Sequence, residues 1–383
     1  LFSVQLESPV LIAAIFISGI GGTFQFGFHI SVLTSPSSVS TLVNTTCLHR
    51  YSISLEQWEV TLIWSFIVSI FCIGGLLGSL CAGRLSSAYG RKRCLLLNNL
   101  FAIGGAGMML LSKTSMSFEM IMVGRFLYGI NAGVGLSVHT MYLVECAPKR
   151  LQGIVGVSVA TFLSMGKFSG QLLGISELLG TEDRWPWLLG FSGATALLQL
   201  ITLPLLPESP KYLLLDRGDR QGCEKAILRL WGNRDHSAEV EKMLVEHASM
   251  NGVRSHTVLD LILDQTIRWQ LLTILVVFTT LQFSGINAVS CMKLVHEDIV
   301  FGSDVTHTLT VYSYTQENLD YFCFLIFFVF CFLSGLFVWY NVPETKNRTV
   351  MEITPHFALM TALHTFGILS TSFMRQSPGF DFN

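Results

Sequence analysis

Residues 60–93 read VTLIWSFIVSIFCIGGLLGSLCAGRLSSAYGRKR. No charged residue falls between positions 60 and 82, so this run can cross a bilayer as one helix of about 20 residues. It ends on Gly83-Arg84 and, a few residues on, Gly90-Arg91-Lys92-Arg93. The glycines permit a tight turn, and the clustered cations hold that end of the helix at a water-facing boundary. An apolar run closed by a basic loop is the unit from which the rest of the chain is read.

Runs of the same kind lie near 10–33, 94–111, 118–144, 154–175, 187–206, 270–291 and 321–340. With 60–82 they make eight, which predicts an all-α, polytopic membrane protein of about eight transmembrane helices. Composition agrees: 51% of the 383 residues are hydrophobic, 13% are charged, and the mean hydropathy is +0.54. Soluble domains carry about 25% charged residues, so a fully water-exposed surface does not fit. A net charge of −2 offers no basic surface for nucleic acid. The nine cysteines form no CxxC pair and mostly sit in apolar runs, so they read as small hydrophobes. No nucleophile–base pair, phosphate loop or metal cluster stands out, so neither an enzyme nor a cofactor is expected.

One polar stretch, 208–268, interrupts the series. Within it, 221–246 mixes Ala226, Ile227, Leu230, Val240, Leu244 and Val245 with charges, the pattern of short amphipathic helices that lie on a membrane surface or pack on helix ends. The expected organisation is a six-helix N-terminal bundle over 1–207, an amphipathic linker over 208–268, two helices over 269–342 and a tail over 343–383. Lysine and arginine orient it. With the N-terminus in the cytosol, eighteen of the 24 fall on the cytosolic side. Arg50, Lys113, Arg184 and Lys293 fall outside, and Arg125 and Lys167 lie within helices. The excess of positive charge inside selects this orientation, with both termini cytosolic. The outer loop after the first helix carries Asn44-Thr45-Thr46, a glycosylation sequon.

Five motifs at helix ends then carry a resemblance. The stretch 83–93 is similar to the GxxxxxxGR[RK] loop of the major facilitator superfamily. Glu145-Cys146-Ala147-Pro148-Lys149-Arg150-Leu151-Gln152-Gly153 is close to ExxPxxxRG, and Pro207-Glu208-Ser209-Pro210-Lys211-Tyr212-Leu213 to PESPRYL. Gln282-Phe283-Ser284-Gly285-Ile286-Asn287-Ala288-Val289 is similar to QLSGINAV, and Pro343-Glu344-Thr345-Lys346-Asn347-Arg348-Thr349 to PETKGRT. In this order they resemble the facilitative hexose transporter family, the glucose and fructose carriers among the sugar porters. Phe24-Gln25-Phe26-Gly27-Phe28, Asn98-Asn99, Gly170-Gln171 and Asn347 tilt towards its fructose-transporter-like class.

The resemblance implies a major facilitator-like fold, a multi-pass protein of the plasma membrane, and passive uniport of a hexose by alternating access. It implies substrate contacts at Gln171, Gln282 and Asn287, with Gln25 beside them. Neutral amides both donate to and accept from hydroxyls, which suits a site that must release its sugar. The residue-level alternative is that these amides join helices. It also implies a cytosolic gate of Glu145, Arg91, Lys92 and Glu208, which as residues alone read as solvated helix-end charges. Leu281 replaces a second glutamine, Gln152 the motif arginine, Ala88 a usual cation and Thr140 a proline. Proton-coupled relatives place an Asp where His29 stands, and a packing role is expected for His29 and His139. Lys167, one turn before Gln171, occupies a position that is apolar in the pattern. A lysine at membrane depth costs roughly 2.5–3.5 kcal/mol.

The family has twelve helices, and counterparts of helices eight to eleven are missing between 292 and 318. Two readings follow from the resemblance: a hexose carrier by lineage, or a transport-incompetent shortened product, either degraded or associating with full-length family members. The partners expected in either case are a sugar and the lipid bilayer.

Overall fold

The computed structural model describes residues 9–32, 43–51, 56–175, 178–179, 181, 184–232, 237–250, 268–283 and 322–342. It is helical throughout, and contacts divide it into two units, Leu1–Met250 and Asn251–Asn383. In the first unit, α1 (Pro9–Gly21) and α2 (Thr23–Ser31) are followed by α3 (Gln57–Tyr89), α4 (Arg91–Thr114), α5 (Phe118–Cys146), α6 (Gln152–Leu173) and α7 (Trp185–Thr202). Two shorter helices, α8 (Arg220–Trp231) and α9 (Ser237–Met250), complete it. Among the described residues, six segments are long and apolar enough to cross a membrane, with α1 and α2 together forming the first. Leu76, Leu80, Val157, Ile201 and Leu205 are each more than half exposed on the outside of these helices, the arrangement that lipid rather than water favours.

The predicted run 10–33 is one span but not one helix. A Cβ on Gly21 would lie 1.9 Å from the Gln199 amide, and one on Gly22 2.8 Å from His139. At this crowded point the Gly22 N–H turns to Gly19 O at 3.3 Å, which frees the Ser18 carbonyl. Gln199 Nε2 of α7 donates to Ile17 O and Ser18 O at 3.2 and 3.4 Å, replacing the interrupted bonds.

Glycines set the helix crossings. α3 and α5 meet through Gly74, Gly78, Gly129 and Gly133, and α2 and α6 through Gly27, Gly166 and Gly170. At each of these seven positions a Cβ would come within 2.6 Å of an atom on the facing helix, usually a backbone carbonyl. α4 and α5 are tied by reciprocal amides: Asn98 Nδ2 donates to Asn131 O at 2.9 Å, and Asn131 Nδ2 to Asn98 O at 3.1 Å. The remarked pair Asn98-Asn99 is therefore buried packing in part.

The stretch 221–246 falls on α8 and α9. α8 buries Cys223, Ala226, Ile227, Leu230 and Trp231, and Trp231 Nε1 donates to Cys146 O at the end of α5 (2.8 Å). Asp219 caps α8 by accepting from Gly222 N at 2.8 Å. Burial pushes the Cys223 thiol up to about 11, so it stays protonated at neutral pH. In the second unit α10 (Arg268–Phe283) packs on α11 (Phe322–Asn341), and both carry shorter apolar segments, Leu271–Thr280 and Phe328–Tyr340.

Candidate functional site

The four residues expected at the gate stand together at one end of the first unit. Arg91 opens α4 directly after Gly90, whose φ of +95° lets the chain reverse from α3 in a single residue. Its guanidinium grips Glu145 in the last turn of α5 with two nitrogens: Nε lies 2.9 Å from Oε2, and NH2 donates to Oε1 at 3.0 Å. A third nitrogen, NH1, donates to Asp216 Oδ2 at 2.6 Å, and the guanidinium sits 5.0 Å above the Tyr212 ring. Ser209 Oγ completes the cluster by donating to Glu145 Oε2 at 2.5 Å. Side-chain exposure ranks these contacts, at 11% for Arg91 and 13% for Glu145 against 40% for Asp216. The shielded, two-pronged pair with Glu145 dominates, and Asp216 contributes as a surface partner.

Lys92 and Glu208 join the cluster through the backbone instead of through each other. Glu208 Oε1 accepts from Lys92 N at 2.9 Å and Ser209 N at 3.0 Å, placing a carboxylate on the N-terminal end of α4. Lys92 Nζ donates to Pro204 O (2.8 Å) and Leu206 O (2.6 Å), closing the carbonyl end of the α7 segment. Gln152, which stands where the motif has arginine, donates to Val144 O at 3.2 Å. Asp216, Ser209 and Tyr212 escaped the sequence reading. They fall in a polar stretch where an acid or hydroxyl gives no sign of which partner it will meet.

The expected substrate amides are dispersed. Gln171 is half-buried near the end of α6, and its side-chain amide makes no hydrogen bond among the described residues. Gln25 is fully buried, and its Nε2 donates to Thr195 Oγ1 at 3.0 Å and Ser192 O at 3.5 Å. In this conformation that amide joins α2 to α7. Gln282 lies on α10 of the second unit, and Asn287 is outside the described residues. His29 is buried with its ring 4.1 Å from that of Tyr128, and His139 is buried at the helix-one break. Arg125 is also buried, 4.5 Å over the Phe71 ring, and among the described residues its Nε and NH1 have no hydrogen-bond partner. Asn44 is exposed, whereas Thr46, the third residue of its sequon, is buried.

A split first helix, glycine-lined crossings and a charged cluster at the motif loops invite comparison with known proteins. Residues 14–295 match the family described as "Sugar (and other) transporter". The chain belongs to the sugar transporter family. Among the chain's relatives, the human "Solute carrier family 2, facilitated glucose transporter member 11" is 41% identical over 285 residues, covering 74% of this chain and 58% of that one. Facilitated glucose transporter member 5 of Bos taurus is 41% identical over 283 residues, covering 74% and 56%. Member 9 of Homo sapiens is 40% identical over 280 residues, covering 73% and 52%. The chain thus spans about half the length of the curated relatives it matches. Solved structures agree on the fold. The proton:xylose symporter XylE bound to 6-bromo-6-deoxy-D-glucose superposes with a TM-score of 0.64 at 16% identity, covering 92% of this chain and 99% of that one. A partially occluded inward-open form of XylE from E. coli gives 0.60 at 17%, covering 90% and 100%.

Proposed function

We propose that this member of the family carries a hexose, such as glucose or fructose, passively across the plasma membrane, with the basic end of the bundle and both termini in the cytosol. The observation that carries this reading is Gln171: a side-chain amide with no hydrogen bond among the described residues, on a helix face beside the α2–α6 crossing. Gln282 and Asn287, the other amides that the family motif implies, are proposed as sugar contacts as well. The Arg91–Glu145 pair, with Lys92 and Glu208 bracing the helix ends beside it, would act as the cytosolic latch that rigidifies the bundle while it rocks. A buried, ring-stacked His29 in place of an intramembrane carboxylate favours uniport over proton coupling.

The test is uptake of radiolabelled glucose and fructose into liposomes containing the pure chain. Saturable uptake above that of empty liposomes is expected. Flux equal to empty liposomes removes the carrier reading for the chain alone. A second reading then stands, in which the bundle acts only in association with full-length family members. Exposed Asn44 is proposed to carry N-linked glycan on the outer face. Because Thr46 is buried once folded, the glycan would have to be added during synthesis. Asn44→Gln should abolish a gel-mobility shift that a glycan-removing amidase also abolishes. Identical migration of the two proteins from a glycosylating cell would remove that assignment.

A further inference from the structure

Lys167 has no role in the passive hexose reading. It lies in α6 six residues before Leu173, about 9 Å from that end by helical rise. A lysine at such depth ordinarily reaches along the helix to the nearer interface. In α6, however, side chains leave the backbone tilted towards the N-terminus, the longer way through the membrane. The backbone here is also pinned. Ser31 Oγ donates to Lys167 O at 2.8 Å, and a Cβ on Gly27 would lie 2.1 Å from Leu163 O and 3.1 Å from Lys167 N. So α6 cannot turn to carry the ammonium elsewhere without breaking its closest crossing.

Among the described residues, no acid neutralises the charge. Among the described residues no ion pair includes Lys167, and the span residues Glu59, Glu119 and Glu145 all lie in the first or last turn of a helix. Helical geometry places Ala160, Ser164, Lys167 and Gln171 on one strip, adjoining the Gly166/Gly170 edge that packs on α2. Lys167 and Gln171 are half-buried there, and they are the only long side chains among those four. Residues four apart on a helix stand about 5–6 Å apart at Cβ, a distance that one pyranose ring bearing a carboxylate at C6 can bridge.

We infer that Lys167 recognises a carboxylate, and that the preferred ligand of this site is an acidic hexose, a hexuronate. The inference rests on the reading of Gln171 as a sugar contact. Gln171 would take ring hydroxyls while the Lys167 ammonium pairs with the carboxylate; the ligand supplies the counter-charge that the helices lack. This adds a charged substrate class to a site otherwise suited to neutral sugars.

Tryptophan fluorescence of the purified full chain, titrated at constant ionic strength with D-glucuronate, D-glucose and sodium acetate, tests it. Glucuronate should bind about tenfold more tightly than glucose, with acetate ineffective. Lys167→Met should bring the ratio of the two affinities to about one, and Lys167→Arg should keep it. A wild-type ratio of one or below, a ratio unchanged in Lys167→Met, or acetate competing as well as glucuronate overturns the proposal. Glucose binding without the preference removes the acidic ligand and leaves the hexose site. Glucuronate binding without glucose binding does the reverse, and binding of neither removes both.

Discussion

Replacing Gly133 by leucine is expected to lower the thermal stability of the detergent-purified protein by about 10 °C, or to prevent its recovery as a monodisperse species. At this crossing a Cβ would lie 2.2 Å from Gly75 O and 2.9 Å from Ser79 N, and the neighbouring Gly129 faces Phe71 O at 2.2 Å. The obstruction is backbone, so no rotamer change relieves it, and α3 and α5 must separate. Overpacking of this kind costs about 3 kcal/mol or more, since dispersion contacts along the whole crossing are lost with the clash. The matched control is Gly156→Leu on α6, where a Cβ would meet nothing within 4 Å. Equal melting temperatures for the two variants, read by fluorescence-detected size-exclusion chromatography after heating, would show that the crossing does not set stability.

Arg91→Ala is the second large effect, through electrostatics. It leaves Glu145, only 13% exposed, without its cation, and leaves Asp216 as a second carboxylate nearby. Breaking a shielded pair by removing one member costs on the order of 3 kcal/mol, because the remaining charge stays where water reaches it poorly. Arg91→Lys should lose an intermediate amount, as one ammonium cannot reproduce the two-pronged grip on Glu145 and the bond to Asp216. Asp216→Asn should cost less than about 1 kcal/mol, since that partner is 40% exposed. The decisive comparison is Arg91→Ala with Arg91→Ala/Glu145→Ala. If the charge left behind is the cause, the double variant melts above the single one; a double variant that melts lower still would falsify the account.

Much of this protein can be read along its chain. The run 60–82 and the loop 83–93 declare a membrane helix and its basic end, because bilayer thickness fixes run length and both signals lie in consecutive residues. The amphipathic stretch 221–246 was legible for the same reason: a face of Ala226, Ile227 and Leu230 is written at helical spacing. The motifs at helix ends named the family before any contact was known.

Partners across the bundle were not legible in this way. Arg91 meets Glu145 and Asp216 at separations of 54 and 125 residues, and nothing local distinguishes Asp216 from other acids of the polar stretch. Gln25 looks like a binding amide in sequence, yet it is buried against Thr195, 170 residues away. The break at Gly22 depends on Gln199 and His139 arriving from α7 and α5. By itself the sequence determined the membrane character, the helix order and the family, since apolar length, charge placement and motif spacing are properties of neighbouring residues. Only the tertiary structure decided which amides face outward, which charges pair and where the first helix breaks, because those outcomes depend on helices meeting at glycine-sized gaps.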